Sequence, residues 1–173
     1  MGLFFSRMMR AARLDSEFYE EVEADKTAIT QAVAVIILSS LAAGLGGYTG
    51  DPLGILAGMV GALGGWFLWA FITYFIGTRI LPQKQTEADY GQLLRTIGFS
   101  SSPGLIRIFG LIPGLSGVLF LIASVWMLAA MVVAVRQALD YTSTPRAVAV
   151  VAIGWVIQLI IVLFIFTLVN PLS

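Results

Sequence analysis

One ionisable side chain of this sequence, Arg107, lies inside an otherwise apolar stretch that runs from Ile97 to Ile112. A charged side chain within a membrane-compatible segment marks a candidate functional site by default. Arg107 is five residues from Ile112, about 7.5 Å along a helix, so its guanidinium can also reach the membrane interface. We expect a structural ion pair with Asp51, the one acid on the same predicted outer side. Binding of a substrate at Arg107 is the alternative.

The remaining side chains offer little chemistry. The chain has 173 residues, with ten Lys or Arg, ten Asp or Glu, and neither histidine nor cysteine. This excludes thiol nucleophiles, serine–histidine couples, zinc ribbons and imidazole proton relays. An enzyme would have to work with carboxylates, Arg, Tyr or Ser alone, so we expect no enzyme, no catalytic residue, no metal and no cofactor. The formal net charge of +0 gives no reason to expect a nucleic-acid partner.

Polar side chains within the predicted spans are scattered singly, among them Gln158 and Tyr74. Such residues usually hydrogen-bond between helices. Together with Arg107 they could also line a polar path, which keeps a small-solute transporter or channel as an alternative function. No acidic residue lies in the middle of a predicted span, so proton-coupled transport lacks an obvious carrier.

Four glycines, Gly54, Gly58, Gly61 and Gly65, are spaced by four, three and four residues, which places them on one face of a helix. A face of small residues lets another backbone approach closely. We expect this glycine face to pack against a helix of the same chain. A contact surface for a second copy of the chain is the alternative.

The elements that carry these residues are apolar helices. Of all residues 58% are apolar and only 12% are charged, whereas a soluble domain carries roughly 25% charged residues. Four stretches without any charged residue each exceed the roughly 20 residues that a helix needs to cross the hydrocarbon. The predicted fold class is therefore an all-α integral membrane protein, a bundle of five transmembrane helices. The spans are expected at about 28–45, 53–80, 97–112, 116–135 and 147–169, within a domain of residues 27–173.

The basic residues indicate whether the short segment 97–112 crosses the membrane. If it does, nine of the ten basic residues lie on one side, and Arg107 alone lies elsewhere. Because basic residues collect on the cytoplasmic side, we expect five crossings, a cytoplasmic amino terminus and a carboxyl terminus outside.

Residues 1–26 form a predicted cytoplasmic arm that is amphipathic. The residues expected to contact the membrane surface are Phe4, Phe5, Arg7, Arg10 and Arg13. Aromatic side chains interleaved with arginines on one arc suit a helix that lies on an anionic leaflet. The acidic second part of the arm could instead cover the cytoplasmic loops and pair with basic side chains there, such as Arg95. A dedicated docking surface for a protein partner is the alternative.

The stretch Asp89–Pro103, with the sequence DYGQLLRTIGFSSSP, resembles the central signature of the Ypt/Rab-interacting protein (Yip) domain family. In that signature an aromatic residue, Leu-Leu-Arg, a glycine and a second aromatic residue lead to a proline that opens a membrane helix. Trp126, the run Ala134–Leu139 and Ala147 are similar to the later part of the family pattern. The resemblance implies five transmembrane helices with a cytoplasmic amino terminus, and the arm resembles that of bacterial members.

Eukaryotic members of this family bind Rab GTPases and shape ER and Golgi membranes. The present chain lacks their Asp-Leu-Tyr-Gly-Pro motif, so the resemblance does not extend Rab binding to it. We therefore expect a non-enzymatic protein of the bacterial cytoplasmic membrane that organises the bilayer or scaffolds partners. Its expected partners are the lipid bilayer and a second copy of the chain or another membrane protein.

Overall fold

The computed structural model describes residues 2–47 and 51–169, although not the side chains at 165, 166, 168 and 169. Within these residues all regular secondary structure is helical. The helices are α1 (Leu3–Ala12), α2 (Ser16–Ala24), α3 (Ile29–Gly46), α4 (Pro52–Phe75), α5 (Tyr90–Phe99), α6 (Ser116–Ala138) and α7 (Thr144–Val169). A 3-10 turn leads into α3, a π turn extends α4, and a 3-10 helix follows α5.

Aspartates begin four of these helical segments. Their carboxylates accept a backbone N–H of the first turn, which would otherwise lack a partner. They are Asp15 at α2, Asp25 at the 3-10 turn before α3, Asp51 at α4 and Asp89 at α5. A large part of the acid content of this apolar chain is thus used at helix ends.

Four helical segments are long and apolar enough to cross a membrane: Lys26–Gly46, Pro52–Ile80, Ser116–Ala138 and Thr144–Phe164. They agree with four of the five predicted spans. The first and the last of these segments run in one direction and the other two run in the opposite direction, so the bundle has two ends. We call the end near α1 and α2, where α3 and α7 begin, the arm end, and the opposite one the far end.

The remaining predicted span, 97–112, is not one continuous α-helix. Helix α5 ends at Phe99, and Ser102–Leu111 continue as a 3-10 helix. Pro103 cannot donate a backbone N–H, and the hydroxyls of Ser100 and Ser102 donate back to carbonyls three residues earlier at 2.7 Å. These local bonds compete with α-helical ones, which explains why the α-helix stops here.

The broken segment nevertheless runs along α3 for most of the length of that helix. Glycines make the contact: a Cβ added at Gly98 would meet the Ala32 side chain at 2.7 Å, and Gly110 lies against the backbone of Gly46. Ala32 and Gly46 are fourteen residues apart, about 21 Å along α3. The two segments are therefore parallel and in close backbone contact.

The core of the protein lies towards the arm end. Phe18, Tyr19, Leu93 and Phe99 are fully buried, and the rings of Phe18 and Phe99 meet edge to face with centroids 5.2 Å apart. Near the far end the helices separate instead, and their apolar side chains are exposed. For example, Leu53 is 74% exposed.

Candidate functional site

A cavity of about 1440 Å³ opens between the helices at the far end, where Gly54 lines it, and extends along α7 as far as Val148. Residues of α3, α4, α6 and α7 line it, together with Ile97 of α5, Ser101 and, from the 3-10 helix, Arg107. We call it the far-end cavity. Most of its wall is aliphatic or aromatic side chain, and Trp66 and Trp69 of α4 lie on its arm side.

The glycine face of α4 forms one wall of this cavity: Gly54, Gly58, Gly61 and Gly65 all line it. A Cβ added at Gly58, Gly61 or Gly65 would meet nothing within 4 Å, and one at Gly54 would meet only the neighbouring Asp51 carboxylate at 2.8 Å. The expected packing against a helix of the same chain is therefore corrected: in the described residues these glycines border open space. Whether they face a second copy of the chain stays a prediction.

Arg107 points its guanidinium across the mouth of the cavity towards α6. Its Nη2 donates to the Ser124 hydroxyl at 3.1 Å, and the guanidinium carbon lies 5.2 Å from the centroid of the Phe120 ring. The buried Nε has no hydrogen-bond partner among the residues that the structure describes. The site thus contains a cation whose contacts are all neutral.

The predicted ion pair between Arg107 and Asp51 is not among the ion pairs of the described chain, which corrects that expectation. The Asp51 carboxylate accepts the backbone N–H of Leu53 at 3.0 Å and caps α4. The 3-10 helix that carries Arg107 packs on α3, and this position directs the guanidinium to Ser124 rather than to Asp51. Spacing in the sequence indicated that both residues lie near one end, but it could not show these competing contacts.

The other polar side chains of the cavity wall are neutral. The hydroxyls of Ser40 and Ser124 donate to backbone carbonyls of their own helices at 2.7 Å, so they remain acceptors. Gln158 also lines the cavity, whereas Tyr74 packs against Tyr90 with ring centroids 6.4 Å apart. The residues of the predicted polar path are therefore brought together only in part. In the described chain no group of three carboxylate, His or Cys side chains could hold a metal ion.

The arm folds back on itself and docks on the bundle, and its arginines are used within it. Arg7 contacts Glu21 at 3.2 Å and Asp25 at 2.9 Å, while Arg10 contacts Asp15 at 2.7 Å and Glu21 at 2.6 Å. The hydrogen bond with Arg10 lowers the pKa of Asp15, and the same bond raises the pKa of Arg10. Both arginines thus face acids within α2 or at its two ends, which corrects the expectation that they face anionic lipid.

The rest of the predicted membrane-contacting set divides between the two faces of α1. Phe4 packs on the core, whereas Phe5 and Arg13 are exposed. Leu3 and Met9 are also exposed on α1. An apolar outer face on α1 therefore remains, and Arg13 is its exposed basic residue.

Arg95 joins the arm to the bundle. It is 6% exposed, and its guanidinium donates to the carbonyls of Val22 at 3.1 Å and of Glu23. These carbonyls belong to the last turn of α2, which has no intrahelical donors for them and carries the negative end of the helix dipole. The sequence pointed to Arg95 as a partner of the acidic segment, but the bonds go to backbone rather than to carboxylates.

Glu23 has an unusual environment in the same junction. Its carboxylate accepts from the Gln92 amide at 3.0 Å. Burial, followed by the nearby carboxylates of Asp140 and Glu20, raises the pKa of Glu23 to about 7. The arm therefore meets the bundle at a carboxyl that gains and loses its proton near neutral pH.

A second attachment holds α1. The indole N–H of Trp126 donates to the carbonyl of Ala12, the last residue of α1, at 2.6 Å. Helical periodicity could not reveal this bond or the glycine contacts of Gly98 and Gly110, because each joins elements that are remote in sequence. The one sequence signal was the position of Trp126 and Gly98 within the resemblance to the family pattern.

Comparison with known proteins gives one family. The Yip1 domain matches the chain over residues 4–166, a range that includes both the arm and the helices around the cavity. No curated protein and no solved structure matches it.

Proposed function

The chain belongs to the Yip1 domain family, and on that premise we propose that it is a non-enzymatic membrane protein that organises the bilayer or scaffolds partners at it. Four apolar spans make it a multi-pass membrane protein. The observation that carries the proposal is the position along α6 at which the end of α1 is attached, which we call its height.

The bond from Trp126 to Ala12 places the end of α1 beside an apolar span. Trp126 lies twelve residues before the end of α6 at Ala138, which is about 18 Å along the helix. At this height we expect the exposed apolar side chains of Leu3 and Phe5 to face lipid. A helix half embedded in one leaflet widens that leaflet alone, and such helices sense or create curvature.

The cavity supports a role without catalysis. Among the described residues of its lining Arg107 is the one ionisable side chain, whereas acid–base or nucleophilic catalysis needs at least two groups in mutual reach. An anchored arm and an apolar cavity suit the handling of lipid or of partner helices.

The proposed topology has five crossings, with the amino terminus in the cytoplasm of a bacterium and the carboxyl terminus outside. Helix α5 and the following 3-10 helix run parallel to α3, which supports a crossing by this segment. Neither helix alone is long enough to cross the membrane. The basic residues outside the cavity lie in the arm or in segments at the arm end, as the positive-inside rule requires for a cytoplasmic arm end. Reporter fusions that place both termini on one side would refute this topology.

Curvature sorting tests the proposed function. The full chain, fluorescently labelled, is reconstituted in giant vesicles from which narrow tubes are pulled, and its density on tube and vesicle is compared. We expect enrichment on the tube, lost when Leu3, Phe5 and Met9 are all replaced by Gln. Ser6→Gln, also on the exposed side of α1, is the control and should keep the enrichment. Equal density of the unmodified protein on tube and vesicle would contradict the proposal.

A small-solute transporter is the second candidate, because Arg107 and Gln158 line the same cavity. It requires specific solute uptake by vesicles that contain the purified protein, and loss of this uptake in Gln158→Leu. A scaffold for another membrane protein would instead give a defined crosslinked partner in native membranes that disappears when residues 1–25 are removed.

A further inference from the structure

We propose that the far-end cavity binds one anionic phospholipid, whose phosphate contacts Arg107 and whose acyl chains lie along the glycine face of α4. This goes beyond the proposed role in membrane organisation, because it assigns a ligand to a defined site. The arguments are the size of the cavity, the charge at its mouth and the shape of its wall.

The size of the cavity favours a lipid over a small solute. Small-molecule sites usually measure about 300–1,000 Å³, and this cavity measures about 1440 Å³. Its apolar wall offers water too few partners to hold it well. A molecule with long hydrocarbon chains, by contrast, can fill the space and is the main component of the surroundings.

The charge at the mouth selects an anionic headgroup. The Arg107 guanidinium can only donate hydrogen bonds, and its described partner is the neutral Ser124 hydroxyl. No carboxylate is among the described residues that line the cavity. The Asp51 carboxylate, which borders the wall at Gly54, caps α4. A phosphate provides the charge and the acceptor oxygens that fit a guanidinium.

The shape of the wall accommodates hydrocarbon chains. From Gly54 to Gly65 the glycine face extends eleven residues, about 16.5 Å along α4, and a Cβ added at Gly58, Gly61 or Gly65 would meet nothing within 4 Å. Trp66 lies at the arm-side end of this wall. The absence of side chains on this face thus leaves a trench that begins on the same side as Arg107 and ends at an aromatic ring.

Native mass spectrometry of the purified full chain provides the test. The protein is titrated with phosphatidylglycerol and with phosphatidylcholine of identical acyl chains, which differ in headgroup charge. We expect one bound lipid with a preference of about tenfold or more for phosphatidylglycerol, which corresponds to about 1.4 kcal/mol. Equal binding of the two lipids, or a dimer that carries no lipid, would overturn the proposal.

Two pairs of variants locate the lipid. Arg107→Gln should abolish the preference for phosphatidylglycerol, and Arg107→Lys should retain part of it. Gly61→Leu fills the trench and should weaken the binding of both lipids by about tenfold or more, whereas Gly64→Leu should not. Gly64 is the matched control because a Cβ there also meets nothing within 4 Å and the residue is not part of the cavity wall.

The glycine pair keeps the test decisive if Arg107→Gln fails to fold. Equal binding by Gly61→Leu and Gly64→Leu would show that the lipid lies on the outer surface of the bundle and would overturn the proposal. Lipid binding is measured by mass spectrometry without any curved membrane, so its result can be interpreted even if the curvature experiment fails. Specific lipid binding without curvature sorting would refute the proposed function and support the lipid site.

Discussion

Replacing Arg95 by Met should release α2 from the bundle while the membrane helices stay folded. The substitution removes two charge-assisted bonds to the carbonyls of Val22 and Glu23, each worth about 1.5–3 kcal/mol. Docking of α2 should therefore weaken by about 3–6 kcal/mol. At 1.4 kcal/mol for each factor of ten, transient release of α2 becomes about 10²- to 10⁴-fold more frequent.

Amide hydrogen exchange of the purified full chain measures this release, because protection reports the free energy of local opening. Amides of α2 should lose protection by that factor in Arg95→Met, and amides in the middle of α6 should not change. Arg136→Met is the matched control. Arg136 also donates to a backbone carbonyl, that of Tyr141 at 3.2 Å, but it does not hold α2. A change of less than about threefold in α2 for Arg95→Met, or an equal change in both variants, would refute the reasoning.

Two further perturbations follow from the same structure. Since burial raises the pKa of Glu23 from its ordinary value of 4.5 to about 7, the folded arm favours the protonated form. The contribution of protonated Glu23 to the docking of α2 is full below pH 4.5 and is lost as the pH rises through 7. The protection of α2 amides from hydrogen exchange, corrected for intrinsic exchange rates, should therefore fall across this window. In Glu23→Gln it should not fall. Gly98→Leu should destabilise the bundle by several kcal/mol, because even a Cβ would lie 2.7 Å from Ala32, which forces the two segments apart. Thermal unfolding should detect this loss, whereas Gly64→Leu should unfold near the temperature of the unmodified protein; equal unfolding temperatures of the two variants would contradict the close contact with α3.

Four spans could be predicted from the sequence because lipid imposes a simple rule. A helix that crosses it must be apolar over a fixed length, and charged residues therefore mark the ends. The segment around Pro103 follows no such rule, since its winding depends on serine hydroxyls that bond to nearby carbonyls. A helical period of 3.6 residues does not describe a 3-10 helix, so the close approaches of Gly104 to Ser39 and of Gly110 to Gly46 were not recognised.

The site was harder to predict than the fold. Composition singled out Arg107 as a cation within an apolar segment, and spacing predicted one face for the four glycines; all five residues line the far-end cavity. Neither could show that the glycine face would border a cavity, because that depends on how far α6 and α7 stand from α4. In the arm, the reversal at Leu14, which has a φ of 62°, brings the acids of α2 against Arg7 and Arg10. A helical wheel drawn for either helix alone contains no information on that pairing.

The winding of the 3-10 helix also sets the rotational position of the cation. With three residues in each turn, Gly104, Arg107 and Gly110 lie on one line along the helix. Gly104 lies against both Ser39 of α3 and Met127 of α6, so Arg107 on the same line faces the boundary between these two helices. In an α-helix each residue would turn through about 100° instead of about 120°. Over the three residues from Gly104 to Arg107 the difference is about 60°, enough to swing the guanidinium away from Ser124. Among the described residues, the direction of this charge in the cavity is thus set by the pitch of the backbone rather than by an opposite charge.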